Sequence, residues 1–453
     1  MDMKPAIRRI LVFLFLVFVY QLPFSAYASN EVTRTDLSNG LTLLSLEDHS
    51  SPLVSIQVYY HVGTKNECPG MTGMTRICQW IMNGGTPLYK KGEFVRIIQA
   101  GGGSTRTFVG LDMTQFLAKV PSSMLDTVLF LEADRMREIE FTDEKLLLAK
   151  DAARKARLSQ VESSIYGYIN EEFFNLSFRS HPYGNGEYGF PPDIDAISMD
   201  DLQKYFGQFF QPARATLVVV GDFETERLAQ KVHQLFGDIP SNPDVEVRQI
   251  VEPVQIGERY EFIQGFASIP VFIIGYHIPQ VTHEDMPALL LISTILCRGE
   301  SSRIHKRMVT NEKSAIVVEG SIFETEEPGM IYSYALLNYD TPIPDGEAQM
   351  DDEIVRLRTE PVTDSELEMA KNKLEADYYR YFRGLDDRAF MIGYYFSVGG
   401  DWNLRANMMK KSRSVTKENI MEIADKYFTE SNRTVIYLQP SDMAEENGPE
   451  SPE

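Results

Sequence analysis

The sequence predicts an α+β protein of two homologous lobes, each a mostly antiparallel sheet with helices packed on one face. The first observation is an internal duplication. "VSIQVYYHV" (54–62) is echoed by "VFIIGYHIP" from 271, "FTDEKLLLAKDAARKARL" from 141 by "VTDSELEMAKNKLEADYY" from 362, and "ARATLVVVGD" from 213 by "NRTVIYLQP" from 432. The offsets are 217, 221 and 219, in one order, and so long a period excludes a solenoid. The second observation is that strand and helix patterns mix within each repeat, as they do when helices cover a sheet.

Element by element, "LTLLSLEDH" and "VSIQVYYHV" are apolar or alternating runs between turn residues and predict strands. "GGGSTRTFVGLDMTQFLAKVP" opens on a glycine turn and continues as a hairpin. "SSMLDTVLFLEADRMREI" has helical periodicity behind a serine cap; "TDEKLLLAKDAARKARLSQV" has a Thr or Asp cap and Glu144 in its first turn. Pro, Asn and Asp gather at 238–258, which divides the chain into lobes at 29–245 and 246–440. The tail 441–453 is acidic and is expected to be disordered.

At the other end Lys4, Arg8 and Arg9 precede the run "ILVFLFLVFVYQL", and small residues surround a cleavage point after Ala28. Residues 1–28 therefore read as a secretory signal peptide, with no stable membrane span once it is cleaved, and the expected location is exported, in the periplasm. Cleavage removes three cations and one anion, taking the net charge from −21 to −23. Such acidity, with no basic stripe, excludes nucleic acid as a partner and favours basic peptides or a basic protein. Of the three cysteines, Cys68, Cys78 and Cys297, at least one is a free thiol; Cys68 and Cys78 either pair or act as small buried apolar residues.

One segment poses a chemical puzzle. "GMTGMTRICQWIMNGGT" (70–86) has the shape of a zinc-peptidase active-site helix, and "YYHVGTKNECPGMTGMTRICQWIMNGGT" around it is similar to the strand, loop and helix of the insulinase and pitrilysin family. "HPYGNGEYGFPPDIDAISMDDLQKYFGQFFQPARATLVVVGDFETERLAQKVHQLFGDIP" and "SSRIHKRMVTNEKSAIVVEGSIFE" are similar to later parts of its two lobes, so that the resemblance spans residues 31–440. It implies two lobes that work in pairs of chains. It also implies an HxxEH helix, in which two His at i and i+4 bind zinc and the Glu activates water. Those positions hold Arg76, Gln79 and Trp80. Arg has no lone pair to give, Trp only donates, and Gln is no general base. The family's third ligand falls at Ala156 or Arg157, neither a carboxylate. We therefore expect no catalytic residue and no cofactor in this chain.

No two of the seven histidines are spaced i,i+4, and "HEDMP" (283–287) places Pro287 where a second ligand would stand, which disfavours a helix there. His181, in "HPYG", reads as part of a turn. In the family a strand Asn beside the glycine turn helps hold substrate; Arg106 stands there. The resemblance further implies that an Arg and a Tyr seven residues apart on the second lobe bind the substrate backbone. Arg388 and Tyr395 have that spacing, two helical turns, with Tyr394 the alternative tyrosine. The expected function is a non-catalytic, substrate-binding subunit of an exported heterodimeric zinc metallopeptidase. Its partner would be a catalytic paralogue with an intact HxxEH and the zinc, acting on peptide or unfolded protein. The alternative is a peptide-binding or assembly scaffold without a peptidase partner.

Overall fold

The computed structural model describes residues 31–244, 249–265 and 267–440; the signal-peptide and tail expectations lie outside them, as do 245–248 of the join. The strands are β1 (Thr33–Asp36), β2 (Thr42–Glu47), β3 (Leu53–Tyr60), β4 (Ser104–Val109), β5 (Thr114–Pro121), β6 (Ala215–Gly221), β7 (Arg259–Gln264), β8 (Val271–Ile278), β9 (Ala315–Ile322), β10 (Gly329–Leu337) and β11 (Arg433–Gln439). They form two sheets, ordered β1-β2-β6-β3-β5-β4 and β7-β11-β8-β10-β9. Only β2 with β6 and β7 with β11 pair parallel; every other ladder is antiparallel.

Removing β1 makes the two orders superimpose strand for strand, and the helices follow the same duplication. Asp143–Arg157 corresponds to Asp364–Tyr381, and Ile165–Ser177 to Leu385–Gly399. Side-chain caps explain where several begin: Thr142 accepts from the Lys145 amide, and Thr363 and Glu366 form a reciprocal capping box. Each lobe buries its main apolar core between one sheet face and its own helices.

The opposite sheet faces are closed by exchange. Leu385, Ala389, Ile392 and Phe396, on a second-lobe helix, pack on Leu44, Tyr59, Val218 and Val220 of the first sheet. Reciprocally, Ile169, Phe173 and Phe174 of the first lobe pack on Val271, Ile273, Ile436 and Leu438 of the second. Glycine makes both crossings possible. A Cβ on Gly275 would stand 2.3 Å from the Phe173 ring, and one on Gly393 would stand 2.1 Å from the Tyr59 ring. The knob thus sits on the helix in one crossing and on the strand in the other. Between the lobes Lys65, which its own lobe's Asp112 also holds at 3.2 Å, binds Glu326 at 2.6 Å, and His181 meets Glu327 at 2.8 Å.

Candidate functional site: a remodelled metal position

The helix Met74–Met82 turns Met74, Ile77, Cys78, Ile81 and Met82 into the first core. Its N-terminus is capped from outside the helix: Gly73 adopts a φ of +88°, and the Glu67 carboxyl accepts from the amides of Gly73 and Thr75, both at 2.8 Å. Burial pushes Glu67 up to about 7, against the pull of those amides. A carboxyl whose folded value lies above its unfolded value contributes stability below about pH 4.5 and loses it as pH rises through 7. The loss is of order 3 kcal/mol. Thermal melts of the wild type and Glu67→Gln from pH 5 to 8 check this: the wild type should lose Tm relative to the variant as pH rises, and parallel curves would contradict it.

The other face of the helix carries Arg76, Gln79 and Trp80, the positions that the resemblance picks out. Arg76 donates from Nε to the Glu187 carbonyl at 3.1 Å and lies over the Tyr188 ring at 4.2 Å. Gln79 donates to Thr107 Oγ1 of β4 at 2.8 Å, and Trp80 is 37% exposed. From the helix Asp143–Arg157, the Arg157 guanidinium makes a two-pronged bond to Glu171, at 2.7 and 2.9 Å. Arg157 also donates to the Gly189 carbonyl at 2.8 Å and faces the Phe190 ring at 5.4 Å. Arg76 and Arg157 therefore grip one loop, 187–190, from two sides. The loop lies close on the helix start: a Cβ on Gly189 would stand 2.5 Å from the Gly73 backbone, and the Phe190 amide donates to Thr72 Oγ1 at 2.8 Å. Beside it a cavity of about 80 Å³ is lined by Glu171, Tyr183, Glu187, Tyr188 and Phe323.

These residues do not fit zinc. Two guanidinium groups here repel a cation, and the oxygens nearest to them, the Glu187 and Gly189 carbonyls and the Glu171 carboxylate, are already bonded to those same groups. Among the described residues no three His, Cys, Asp or Glu side chains stand together as a metal site. His181 is engaged by Glu327, His277 by the Ser177 carbonyl at 3.0 Å and His283 by Asp285. Pro287 requires a correction: it lies in the first turn of the helix Met286–Leu296, where its missing N–H costs nothing, and His283 precedes that helix. All three cysteines are free, and Cys68 is exposed, so the two open readings of Cys68 and Cys78 both fail for Cys68.

Arg388 and Tyr395 lie on the exchanged helix Leu385–Gly399 but meet different partners. Arg388 pairs with Asp48 of the first lobe, and its buried Nε has no partner among the described residues. The Tyr395 hydroxyl donates to the Glu324 carboxylate at 2.8 Å, which Arg405 also holds at 2.9 Å; Tyr394 donates to the Glu324 carbonyl at 2.9 Å. Tyr395, Glu324 and Arg405 line a cavity of about 520 Å³ beside Tyr332, Phe390 and the edge strand β9. Arg106 is exposed on β4, the corresponding edge of the first sheet. The loop 187–190, Glu171 and Glu67 escape a reading by motif. The available signal was electrostatic: an arginine on a half-buried helix face must find carbonyl or carboxylate acceptors.

Two family models cover most of the lobes: Insulinase (Peptidase family M16) matches residues 42–186, and Peptidase M16 inactive domain matches 196–374. The chain belongs to the M16 peptidase family. It is 23% identical to Zinc protease PqqE of Helicobacter pylori over 89% of this chain and 92% of that one. It is 20% identical to a probable mitochondrial-processing peptidase subunit beta of Arabidopsis thaliana, over 90% and 78%. Among solved structures, a protease from Helicobacter pylori superposes with a TM-score of 0.87 at 22% identity, covering 91% of this chain and 100% of that one. A peptidase M16 inactive domain from Pseudomonas fluorescens gives 0.82 at 15%, covering 90% and 98%. The first half of the periplasmic protease PqqL from Escherichia coli gives 0.76 at 13%, covering 92% and 93%. No described helix is long and apolar enough to cross a membrane.

Proposed function

We propose that this chain is the non-catalytic, substrate-binding subunit of an exported heterodimeric zinc metallopeptidase, its partner being a catalytic M16 paralogue with an intact HxxEH and the zinc. The observation that supports the reading is the loop 187–190, held by Arg76 and Arg157, the residues that the resemblance puts at ligand positions, inside a two-lobed M16 fold. An M16 body without ligands or base can still present strand edges and cavities to a peptide. Tyr395 would contact substrate from its cavity beside β9, while Arg388, paired with Asp48, would orient the helix that carries it. The acidic chain suits basic peptide segments.

Mixing the purified chain with the intact paralogue tests this. A shift of both chains to one elution volume, with peptide turnover at least about tenfold above either chain alone, is the expected result. A paralogue fully active as a homodimer, with no co-elution, would favour the scaffold reading instead. In an assembled pair, Tyr395→Phe should lower the partner's kcat/KM without dissociating the complex.

A further inference from the structure

Among the described residues the duplication is incomplete in one place, and the gap has a shape. In the first lobe, the strand β6 is followed by the helix Thr225–Phe236, which packs on β2 and on the helix Leu125–Arg137. It buries Leu228, Val232 and Phe236, a stripe at i, i+4 and i+8, and its Lys231 pairs with Asp126 at 3.3 Å. In the second lobe, no helix follows β11 among the described residues. The corresponding position, between β7 and the helix Ile343–Thr359, is instead a cavity of about 590 Å³ lined by Phe262, Tyr437, Tyr339, Pro342, Ile343 and Pro344. Phe262 is 63% exposed although it stacks on Tyr437 at 4.4 Å, and Tyr260 on the same strand is 60% exposed. An aromatic floor in that state is covered in the first lobe and uncovered in the second.

We propose that this groove docks a basic amphipathic helix of a partner protein, in the place that Thr225–Phe236 fills in the first lobe. The first lobe supplies the pattern of the occupant: three apolar side chains one turn apart, flanked by a cation. Charge supplies its sign. Asp340 lines the groove and Asp345 stands exposed in the first turn of Ile343–Thr359, where Asp126 stands in the first lobe. Both aspartates are exposed, so both carboxylates are open to a lysine or arginine. The chain's own residues 441–453 fit poorly. They hold five acidic and no basic side chains, two prolines and a single large apolar residue, Met443.

The probe is a fluorescein-labelled, Ala/Lys-based 16-residue peptide with Leu, Val and Phe at i, i+4 and i+8, titrated against the full chain by anisotropy. Saturable binding is expected, weakened about tenfold or more in a twin with Ser at the three apolar positions. A twin with Glu for Lys should also bind more weakly, and so should the variants Phe262→Ser and Asp345→Lys at unchanged Tm. Absence of saturable binding, equal binding of the twins, or undiminished binding by both variants overturns the proposal. So do two other results. Binding that appears only after residues 441–453 are deleted makes the tail the occupant. A wild-type dimer in light scattering that Phe262→Ser converts to monomer makes a second copy the occupant.

Discussion

Arg157→Ala should lower the unfolding free energy by about 3–5 kcal/mol, the usual cost of removing one member of a buried ion pair. Glu171 is only 7% exposed, and both its oxygens are spent on Arg157. The substitution therefore leaves a buried carboxylate with no cation and the Gly189 carbonyl with one donor fewer. It also frees the loop 187–190 on the side away from Arg76. Urea denaturation measures the loss as a fall in midpoint at constant slope. A paired replacement, Arg157→Met with Glu171→Leu, should recover a large part of it, because no unpaired charge then remains. A midpoint displaced by less than the equivalent of about 1 kcal/mol in Arg157→Ala would mean that the pair does not hold the loop.

The architecture was legible because much of it announces itself locally: apolar runs between turn residues, Thr142 as a cap, three echoes at nearly one offset. The exchange of helices was not. Phe173 and Ile392 are ordinary apolar helix residues in sequence, and nothing local says that each lies on the other lobe's sheet. Gly275 and Gly393 acquire meaning only when the opposing ring is known. The third echo stopped after "VVVGD" and "YLQP", the point where one lobe adds a helix and the other, among the described residues, leaves a groove. At the site, the expectation that Arg76, Gln79 and Trp80 ligate no metal came residue by residue, since ligand chemistry belongs to the side chain alone. What replaced them could not, because Arg76, Arg157 and the loop 187–190 meet across about a hundred residues of chain through tertiary contact. The spacing of Arg388 and Tyr395 correctly put both on one helix, but a seven-residue interval cannot say that one would reach Asp48 and the other Glu324.

Restoring the motif should not restore the metal. Arg76→His, Gln79→Glu and Trp80→His together rebuild HxxEH on the helix, yet Arg157 stays bonded across the Gly189 carbonyl, and its charge stands against any cation placed there. The triple variant should therefore hold no stoichiometric zinc and hydrolyse no unstructured peptide. Adding Arg157→Glu to supply a third ligand is expected to be the most damaging single step available in this region. It exchanges the cation that Glu162 and Glu171 both bind for a third carboxylate beside them. The cost combines the lost buried pair with like-charge repulsion at low dielectric, and should exceed about 5 kcal/mol, enough to unfold a domain of ordinary stability. Metal content by mass spectrometry, peptide turnover and thermal melts on both variants decide the matter. A triple variant that binds one zinc per chain at an unchanged Tm would show that only three side chains separate this chain from a peptidase. A quadruple variant that folds and binds zinc would show that the loop yields to the metal, in which case the arginines are substitutions of convenience and the remodelled site carries no structural role.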